Sequence, residues 1–258
     1  MMCECYNVGT MNPRLFIERV YINKDIPKDS YLNRIPVISK LKEDTLYINK
    51  PITIFVGENG TGKSTLIEAI AIAMGFNPEG GSRNIVFTTN DSHSNLHEFI
   101  TVSRGSHPKD GFFLRAESFY NVASNIDELD SYKEGGGKII YNYGGVSLHN
   151  QSHGESFLAL VKNRFGPNGL YILDEPEAAL SPTRMMQLLC LIHDLEKQGA
   201  QFIIATHSPI LMSYPNASII EFSDLGFKEV NYKETEHYLI TKEFINNSDK
   251  MYKYLFED

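Results

Sequence analysis

A glycine-rich segment, "GENGTGKS" at residues 57–64, follows the apolar run "PITIFV". The spacing G-x-x-x-x-G-K-S between a strand and a helix is typical of a loop that binds nucleotide phosphates. Its glycines let the backbone curl so that N–H groups face inward, and the N-terminus of the next helix adds partial positive charge. The alternative, a glycine turn with a surface lysine, leaves the strand before the loop and the helix after it unexplained.

This loop predicts a site for ATP and Mg²⁺. Lys63 would reach the β- and γ-phosphates, and the hydroxyl of Ser64 would ligate the metal. The predicted nucleotide contacts are Gly57, Glu58, Asn59, Gly60, Thr61, Gly62, Lys63, Ser64 and Thr65.

Two adjacent carboxylates, Asp174 and Glu175, end a second apolar run, "LYILDE". At the end of a buried strand, Asp174 could hold Mg²⁺ directly or through water, and Glu175 could polarise the attacking water. Adjacent acids point in different directions, so the two roles can be divided between them. The alternative is a pair of solvated acids after a strand. The four apolar residues before the pair, and its place after a phosphate loop, favour the hydrolytic interpretation.

The elements that must position these residues alternate between strands and helices. Continuous apolar strands separated by helices predict an α/β fold with a mostly parallel sheet covered on both faces. A glycine-bracketed segment, "KIIYNY", is typical of a hairpin. The predicted strands are "RLFIERVYI", "PITIFVG", "GFFLRA", "GLYILDE" and "AQFIIATHS", and the predicted helices are "STLIEAIAIAM", "ESFLALVKNRF" and "SPTRMMQLLCLIHDLEKQG". Residues 77–110 read mostly as loop with short elements.

Composition limits the class of protein. The chain has 258 residues and a formal charge of −8, from 32 acidic and 24 basic residues. This balance argues against a surface that coats nucleic acid over its whole area. Three cysteines without framework spacing favour a reducing compartment. With no signal-peptide pattern and no apolar run of the ~20 residues that span a bilayer, we expect a cytoplasmic protein without membrane insertion, with residues 1–12 as a loose tail.

Three segments together, "GENGTGKS", "LYILDEPEAALSP" and "IIATHSP", resemble the ATPase heads of the ABC class. The resemblance covers residues 14–222 and is strongest to the soluble branch. That branch holds the SMC-type and RecF-like heads, the overcoming-lysogenisation-defect ATPases and small stand-alone bacterial predicted AAA/ABC ATPases. It implies a P-loop NTPase sheet with an N-terminal antiparallel β portion. The motifs would build one site, so we expect a single ATPase domain over residues 1–258, with residues 233–258 as a helical extension.

The resemblance also implies roles for residues outside the two main motifs. His207 matches the switch histidine that contacts the γ-phosphate, although a helix-capping or core histidine is the alternative. The segment "QSHGES" at residues 151–156 falls where the family carries its Leu-Ser-Gly-Gly-Gln signature. Ser152, Gly154 and Glu155 match as nucleotide contacts, and His153 replaces the first glycine. The alternative is simply an N-cap for the next helix.

Other positions depart from the family pattern. Glu117 stands where the family has a glutamine that helps to hold Mg²⁺, and it is the third predicted metal ligand after Ser64 and Asp174. Ser181 stands where aspartate is common. Tyr31 or Arg34 could stack on adenine or be structural. His93 and His97 could be a metal pair, but no third ligand is obvious, which favours solvated loop histidines.

The family pattern implies an ATP-dependent homodimer in which the signature of one head contacts the partner's ATP. It implies roles in DNA repair, chromosome maintenance or phage defence, with a protein effector or nucleic acid as partner. A transporter subunit and an ATP-gated binding module with negligible turnover are the alternatives. The short segment between Glu117 and Gln151 leaves little room for the larger helical subdomain of transporter ATPases. The C-terminal "ETEHYLITKEFINNSDKMYKYLFED" predicts one or two amphipathic helices that pack on the head or dock a partner.

Overall fold

The computed structural model describes residues 15–83, 94–131 and 139–256. Its strands are β1 (Arg19–Ile22), β2 (Leu46–Tyr47), β3 (Ile52–Gly57), β4 (Gly81–Ser82), β5 (Ile100–Ser103), β6 (Asp110–Arg115), β7 (Gly169–Asp174), β8 (Gln201–Ala205), β9 (Ser218–Ser223) and β10 (Gly226–Val230). Its α-helices are α1 (Pro36–Leu41), α2 (Lys63–Ala73), α3 (Phe119–Ser131), α4 (His153–Arg164), α5 (Pro182–Glu196), α6 (Pro209–Met212), α7 (Glu236–Asn246) and α8 (Ser248–Phe256). The predicted loose tail at residues 1–12 lies outside the described residues.

A seven-stranded sheet forms the centre of the fold, in the order β10-β9-β3-β8-β7-β6-β4. Strands β9, β3, β8, β7 and β6 run parallel, and β10 and β4 pair antiparallel at the two edges. The register places Ala205 beside both Phe55 and Asp174. The loop after β3, the acids at the end of β7 and the turn after β8 therefore leave the sheet at one edge. The predicted α/β fold with a mostly parallel sheet is confirmed.

A second, three-stranded antiparallel sheet has the order β2-β1-β5. It confirms the antiparallel β portion expected near the N-terminus. A buried glutamine ties the chain just before β1 to the start of β8. The Gln201 amide accepts from the N–H groups of Phe16 and Ile17 at 2.8 and 2.9 Å and donates to the Ile17 carbonyl at 2.9 Å.

Two hydrophobic cores lie on opposite faces of the large sheet. Successive strand residues alternate between them, so Leu173 and Ile204 belong to one core while Ile172 and Ile203 belong to the other. Helices α3, α4 and α5 pack on the first face, and α1, α2 and the small sheet pack on the second. Helix α2, which follows the predicted phosphate loop, and helix α4, which begins in the predicted signature, therefore pack on opposite faces of the sheet.

One predicted element is wrong. The segment "KIIYNY" forms a 3₁₀ helix over Ile139–Tyr143 rather than a hairpin. Tyr143 is buried in the core beside α4, and Gly144 and Gly145 end the turn with positive φ angles of 100° and 77°. The same glycines that suggested a hairpin turn therefore terminate a short helix. The first glycine cluster of that prediction, residues 135–137, lies outside the described residues.

The C-terminal prediction of one or two helices corresponds to α7 and α8. Within the described residues, no helix combines the length and apolar character needed to cross a bilayer.

Candidate active site

The glycine-rich loop connects β3 to α2 through a backbone that other residues would not adopt. Gly57, Gly60 and Gly62 have φ angles of 136°, 86° and 100°. A Cβ on Gly57 would overlap the carbonyl of Phe222 in β9, and neither strand could move without breaking the sheet. The positive φ angles at all three positions, and the close approach of Phe222 at Gly57, explain why this loop contains glycine there.

The ammonium of Lys63 lies at the base of this loop. Lys63 is 4% exposed, and its Nζ donates to the carbonyls of Gly57 and Glu58 at 2.6 and 3.0 Å. Burial lowers the pKa of Lys63, while the nearby carboxylates of Glu175 and Asp174 oppose that shift. The loop thus concentrates one buried positive charge next to the N–H groups at the start of α2, which suits a polyphosphate.

Asp174 comes within reach of Ser64 across the sheet edge. The Ser64 hydroxyl lies 3.4 Å from Asp174 Oδ1, and Arg115 Nε lies 3.4 Å from Asp174 Oδ2. Burial raises the pKa of Asp174 to about 7, and Arg115 limits that rise. A serine hydroxyl with one aspartate oxygen fits Mg²⁺, which uses few protein ligands and completes its shell with phosphates and water. The described residues contain no group of three His, Cys, Asp or Glu side chains that could hold a metal ion.

Asp174→Asn is expected to make stability less dependent on pH. Because folding raises the pKa of Asp174 from 3.8 to about 7, its stabilising contribution is complete below pH 3.8 and is lost as pH rises towards 7. The loss amounts to about 3 kcal/mol between about pH 5 and pH 8. Without nucleotide or Mg²⁺, the melting temperature of Asp174→Asn relative to wild type should rise by about 6–12 °C over that interval.

Thermal unfolding at the two pH values in EDTA measures this difference. Asp194→Asn, at an exposed position on α5, is the matched control and should track wild type. A constant gap between Asp174→Asn and wild type would show that the buried carboxyl ionises normally.

A chain of ion pairs through Arg115, which the sequence did not predict, holds Asp174. Arg115 Nη1 contacts Glu68 Oε2 at 2.7 Å, and Arg115 Nη2 lies 3.7 Å from Glu117 Oε2. The Glu117 side chain is 84% exposed, so its described contact is with Arg115 and its metal role stays a prediction. Glu68 is a lone acid within the apolar helix "LIEAIAIA", and that exception was a usable signal of a buried partner.

Glu175 turns away from its neighbour because its backbone is left-handed, with φ 50° and ψ 49°. Its N–H donates to the Ala205 carbonyl at 2.9 Å, which holds the turn against β8. The side chain then points towards His207, with Glu175 Oε1 3.6 Å from His207 Nε2. The two acids therefore occupy different environments, one buried beside Ser64 and one half-buried at the mouth of the site.

His207 faces this mouth from the turn after β8. Its backbone N–H donates to Glu177 Oε1 at 2.5 Å, and its Nδ1 lies 2.9 Å from Nε2 of His237. Its Nε2 is buried without a hydrogen-bond partner among the described residues. Burial, followed by the positive charge of Lys63, lowers the pKa of His207. The lowered pKa makes the ring neutral at pH 7, and its Nε2 is a buried polar atom that lies next to the Glu175 carboxylate.

The "QSHGES" segment forms the N-terminus of α4. Ser152 donates from its N–H and its hydroxyl to Glu155 Oε2 at 3.1 and 2.6 Å. Arg184 of α5 donates to Ser152 Oγ at 3.2 Å and to Glu155 Oε1 at 3.0 Å. A Cβ on Gly154 would lie 2.9 Å from the Ala179 carbonyl, so the turn packs closely on the segment after Glu175. Helices α4 and α2 lie on opposite faces of the sheet, and the hydrogen bonds of this turn join it to Arg184 of α5.

The remaining candidates have ordinary structural contacts. Ser181 caps α5 by accepting from the Arg184 N–H at 3.4 Å. Tyr31 is exposed and Arg34 ends the same 3₁₀ turn, and the adjoining Ile35 packs beside Gly62. An adenine contact by either residue stays a prediction. His97 contacts the Ser94 carbonyl at 3.1 Å, and its proposed partner His93 lies outside the described residues.

Two AAA-domain family models and a curated ATP-binding protein match this chain. Residues 37–139 match a family model described as an AAA domain, and residues 142–213 match an AAA domain described further as AbiEii toxin, type IV TA system. The chain is 29% identical over 213 residues to the xylose/arabinose import ATP-binding protein XylG of Sulfolobus acidocaldarius, covering 74% of this chain and 81% of that protein.

Solved structures show the same fold. The cbiO1 protein of Clostridium perfringens, part of the ABC transporter complex cbiONQ, superposes with a TM-score of 0.51 at 16% identity, covering 92% of this chain and 97% of that one. An inward-facing ABC transporter of the metal-chelate type gives a TM-score of 0.50 at 15% identity, covering 88% of each chain.

Proposed function

From the P-loop ATPase fold of the ABC class that this chain has, we propose that it binds ATP with Mg²⁺ and hydrolyses the γ-phosphate. One observation carries the proposal. Lys63, Ser64, Asp174, Glu175 and His207 come from three separate strand ends and meet at one edge of the sheet. An ammonium group, a metal-binding carboxylate, a general base and a hydrogen-bond donor therefore lie next to the loop at Gly57–Ser64, where the phosphates would bind.

Each residue then has a separate task. Lys63 binds the β- and γ-phosphates, and Ser64 with Asp174 holds the metal, which supplies charge neutralisation at the phosphates when bound. Glu175 accepts a proton from the attacking water, since it is the carboxylate at the open mouth of the site. His207 donates from Nε2 to an oxygen of the γ-phosphate and so orients the phosphoryl group while the electron pair of the breaking bond leaves with the β-phosphate.

The opposite placement of α2 and α4 supports a dimer. The α4 N-terminus offers Ser152 and backbone N–H groups, which suit a phosphate, but α4 packs on the face of the sheet opposite to the phosphate-loop helix α2 of the same chain. A two-fold arrangement would bring the Ser152 turn of one head to the ATP of the other. ATP would then bridge the subunits, and hydrolysis would release them.

Lys63→Ala is expected to weaken ATP binding by about 10- to 100-fold, because it removes a charge-assisted contact to two phosphates. Titration of a fluorescent ATP analogue with Mg²⁺ measures the change. Lys162→Ala, at an exposed position on α4, is the matched control. If Lys63→Ala bound the analogue with wild-type affinity, the loop would not be a phosphate site.

For the cellular role, we propose that hydrolysis drives a DNA-repair, chromosome-maintenance or defence process through an effector or nucleic acid. The match of residues 142–213 to a toxin-associated AAA domain supports this choice. The likeness to XylG favours a second candidate, the nucleotide-binding subunit of a transporter. Capture of partners on Glu175→Gln protein with ATP separates them. An integral membrane protein in the complex supports the transporter role, and an effector or nucleic acid supports the first.

A further inference from the structure

Helix α7 brings a histidine into the candidate site from beyond the segments that the family models match. Those segments end at residue 213, whereas α7 begins at Glu236. The rings of His207 and His237 lie 5.1 Å apart between centroids, and His207 Nδ1 is 2.9 Å from His237 Nε2. Sequence reasoning assigned no role to His237.

The first turn of α7 is fixed firmly enough to set this contact. Thr235 is fully buried, accepts from the Tyr238 N–H at 3.4 Å and donates to the Tyr232 carbonyl at 2.8 Å. Helix α7 also packs against α6, which begins at Pro209, two residues after His207. The contact between the two histidines therefore belongs to the packed part of the fold.

Two imidazole nitrogens at 2.9 Å need one proton between them, so one ring donates and the other accepts. His207 Nε2 lies 3.6 Å from the Glu175 carboxylate, whose negative charge favours a proton on that nitrogen. In a neutral ring, a proton on Nε2 leaves Nδ1 as an acceptor. The donor in the pair is then His237.

We infer that His237 is a positioning residue for His207: its Nε2–H donates to His207 Nδ1 and fixes the tautomer that presents Nε2–H to the γ-phosphate. The effect of His237 on catalysis rests on the proposed function, ATP hydrolysis, whereas its effect on the tautomer of His207 does not. It gives helix α7 an indirect part in the chemistry, through the contact of His237 with His207.

The charges around His207 agree with a neutral, orientable ring. Lys63 and His237 face it as bases, Glu175 and Glu58 face it as acids, and Glu177 takes its backbone N–H. Burial and the positive charge of Lys63 lower the pKa of His207. A neutral imidazole has two tautomers, and only one of them can donate from Nε2.

His237→Ala and His237→Gln test the inference together. The alanine variant should lower kcat about tenfold, the effect of one lost hydrogen bond, with KM for ATP unchanged within about twofold. Glutamine places an amide N–H near the position of Nε2 and should restore most of kcat. In a His207→Ala background, His237→Ala should add little further loss, because its effect passes through His207. Lys242→Ala on α7 is the control for the helix itself.

Nitrogen NMR of the imidazoles gives a readout that does not need ATP hydrolysis. His207 should show the Nε2–H tautomer in wild type and in His237→Gln, and a mixture of tautomers in His237→Ala. The inference is overturned by wild-type kcat in His237→Ala, by equal losses in the alanine and glutamine variants, or by an unchanged His207 tautomer. A protein that hydrolyses no ATP but shows the tautomer change would refute the proposed function and leave the positioning contact established.

Discussion

Glu175→Gln is expected to reduce ATP turnover by about 10²- to 10⁴-fold, the usual contribution of a general base. The amide keeps the size of the side chain but cannot accept the proton of the attacking water. ATP binding should persist, because the substitution leaves unchanged Lys63, Ser64 and Asp174, which we propose to bind the phosphates and the metal. The variant should therefore accumulate the ATP-bound form.

Phosphate release under saturating Mg²⁺·ATP measures turnover, and size-exclusion chromatography with ATP detects the trapped dimer. Glu43→Gln, at an exposed position just after α1, is the matched control. Turnover near that of wild type in Glu175→Gln would assign the base to another residue. Loss of ATP binding would instead give Glu175 a structural or metal-binding role.

Ser152→Arg is expected to abolish hydrolysis by the pure variant and yet to be rescued by a second inactive variant. The arginine fills the space at the α4 N-terminus and places a like charge beside Arg184, which contacts Ser152 Oγ at 3.2 Å. Lys63→Ala damages the phosphate loop instead. If each site combines the loop of one head with the signature of the other, both lesions of a mixed dimer fall in one site and the other stays intact.

Random exchange makes about half of the dimers mixed, and each mixed dimer keeps one of its two sites. Equal amounts of Lys63→Ala and Ser152→Arg should therefore recover about a quarter of wild-type activity when the sites act independently. Each variant measured alone, at the same total concentration, is the control. Normal hydrolysis by Ser152→Arg alone would refute both the signature assignment and the shared site. The absence of recovery on mixing, with both variants folded, would confine each site to one chain or require strong coupling between sites.

The sequence predicted the parts of the fold that short-range patterns encode. Gly57 and Gly62 predicted a loop with positive φ angles, and the two acids after "LYIL" predicted the end of a strand. Parallel strands end at a common edge, so a phosphate loop, an acid pair and His207 after three apolar runs had to converge. The observed register, which sets Ala205 beside Asp174, shows that strands β7 and β8 end at the same edge of the sheet.

Contacts between residues far apart in the chain could not be predicted from sequence patterns in this way. Arg115 meets Glu68 across 47 residues and His207 meets His237 across 30, and neither partner is marked by spacing. The wrong hairpin at Ile139–Tyr143 has a related cause. Paired glycines end 3₁₀ helices and hairpins alike, and the burial of Tyr143 against α4 decided between them.

The left-handed backbone of Glu175 sets stability and chemistry against each other at one position. Glycine and asparagine adopt a φ angle of 50° readily, whereas the same φ angle in a glutamate costs conformational free energy. The proline that follows further restricts the backbone choices of Glu175. Selection for a more stable fold alone would therefore drift towards glycine here and lose the carboxylate. A library of variants screened only for thermal stability is therefore expected to enrich inactive variants substituted at residue 175. Such a screen should also measure ATP turnover.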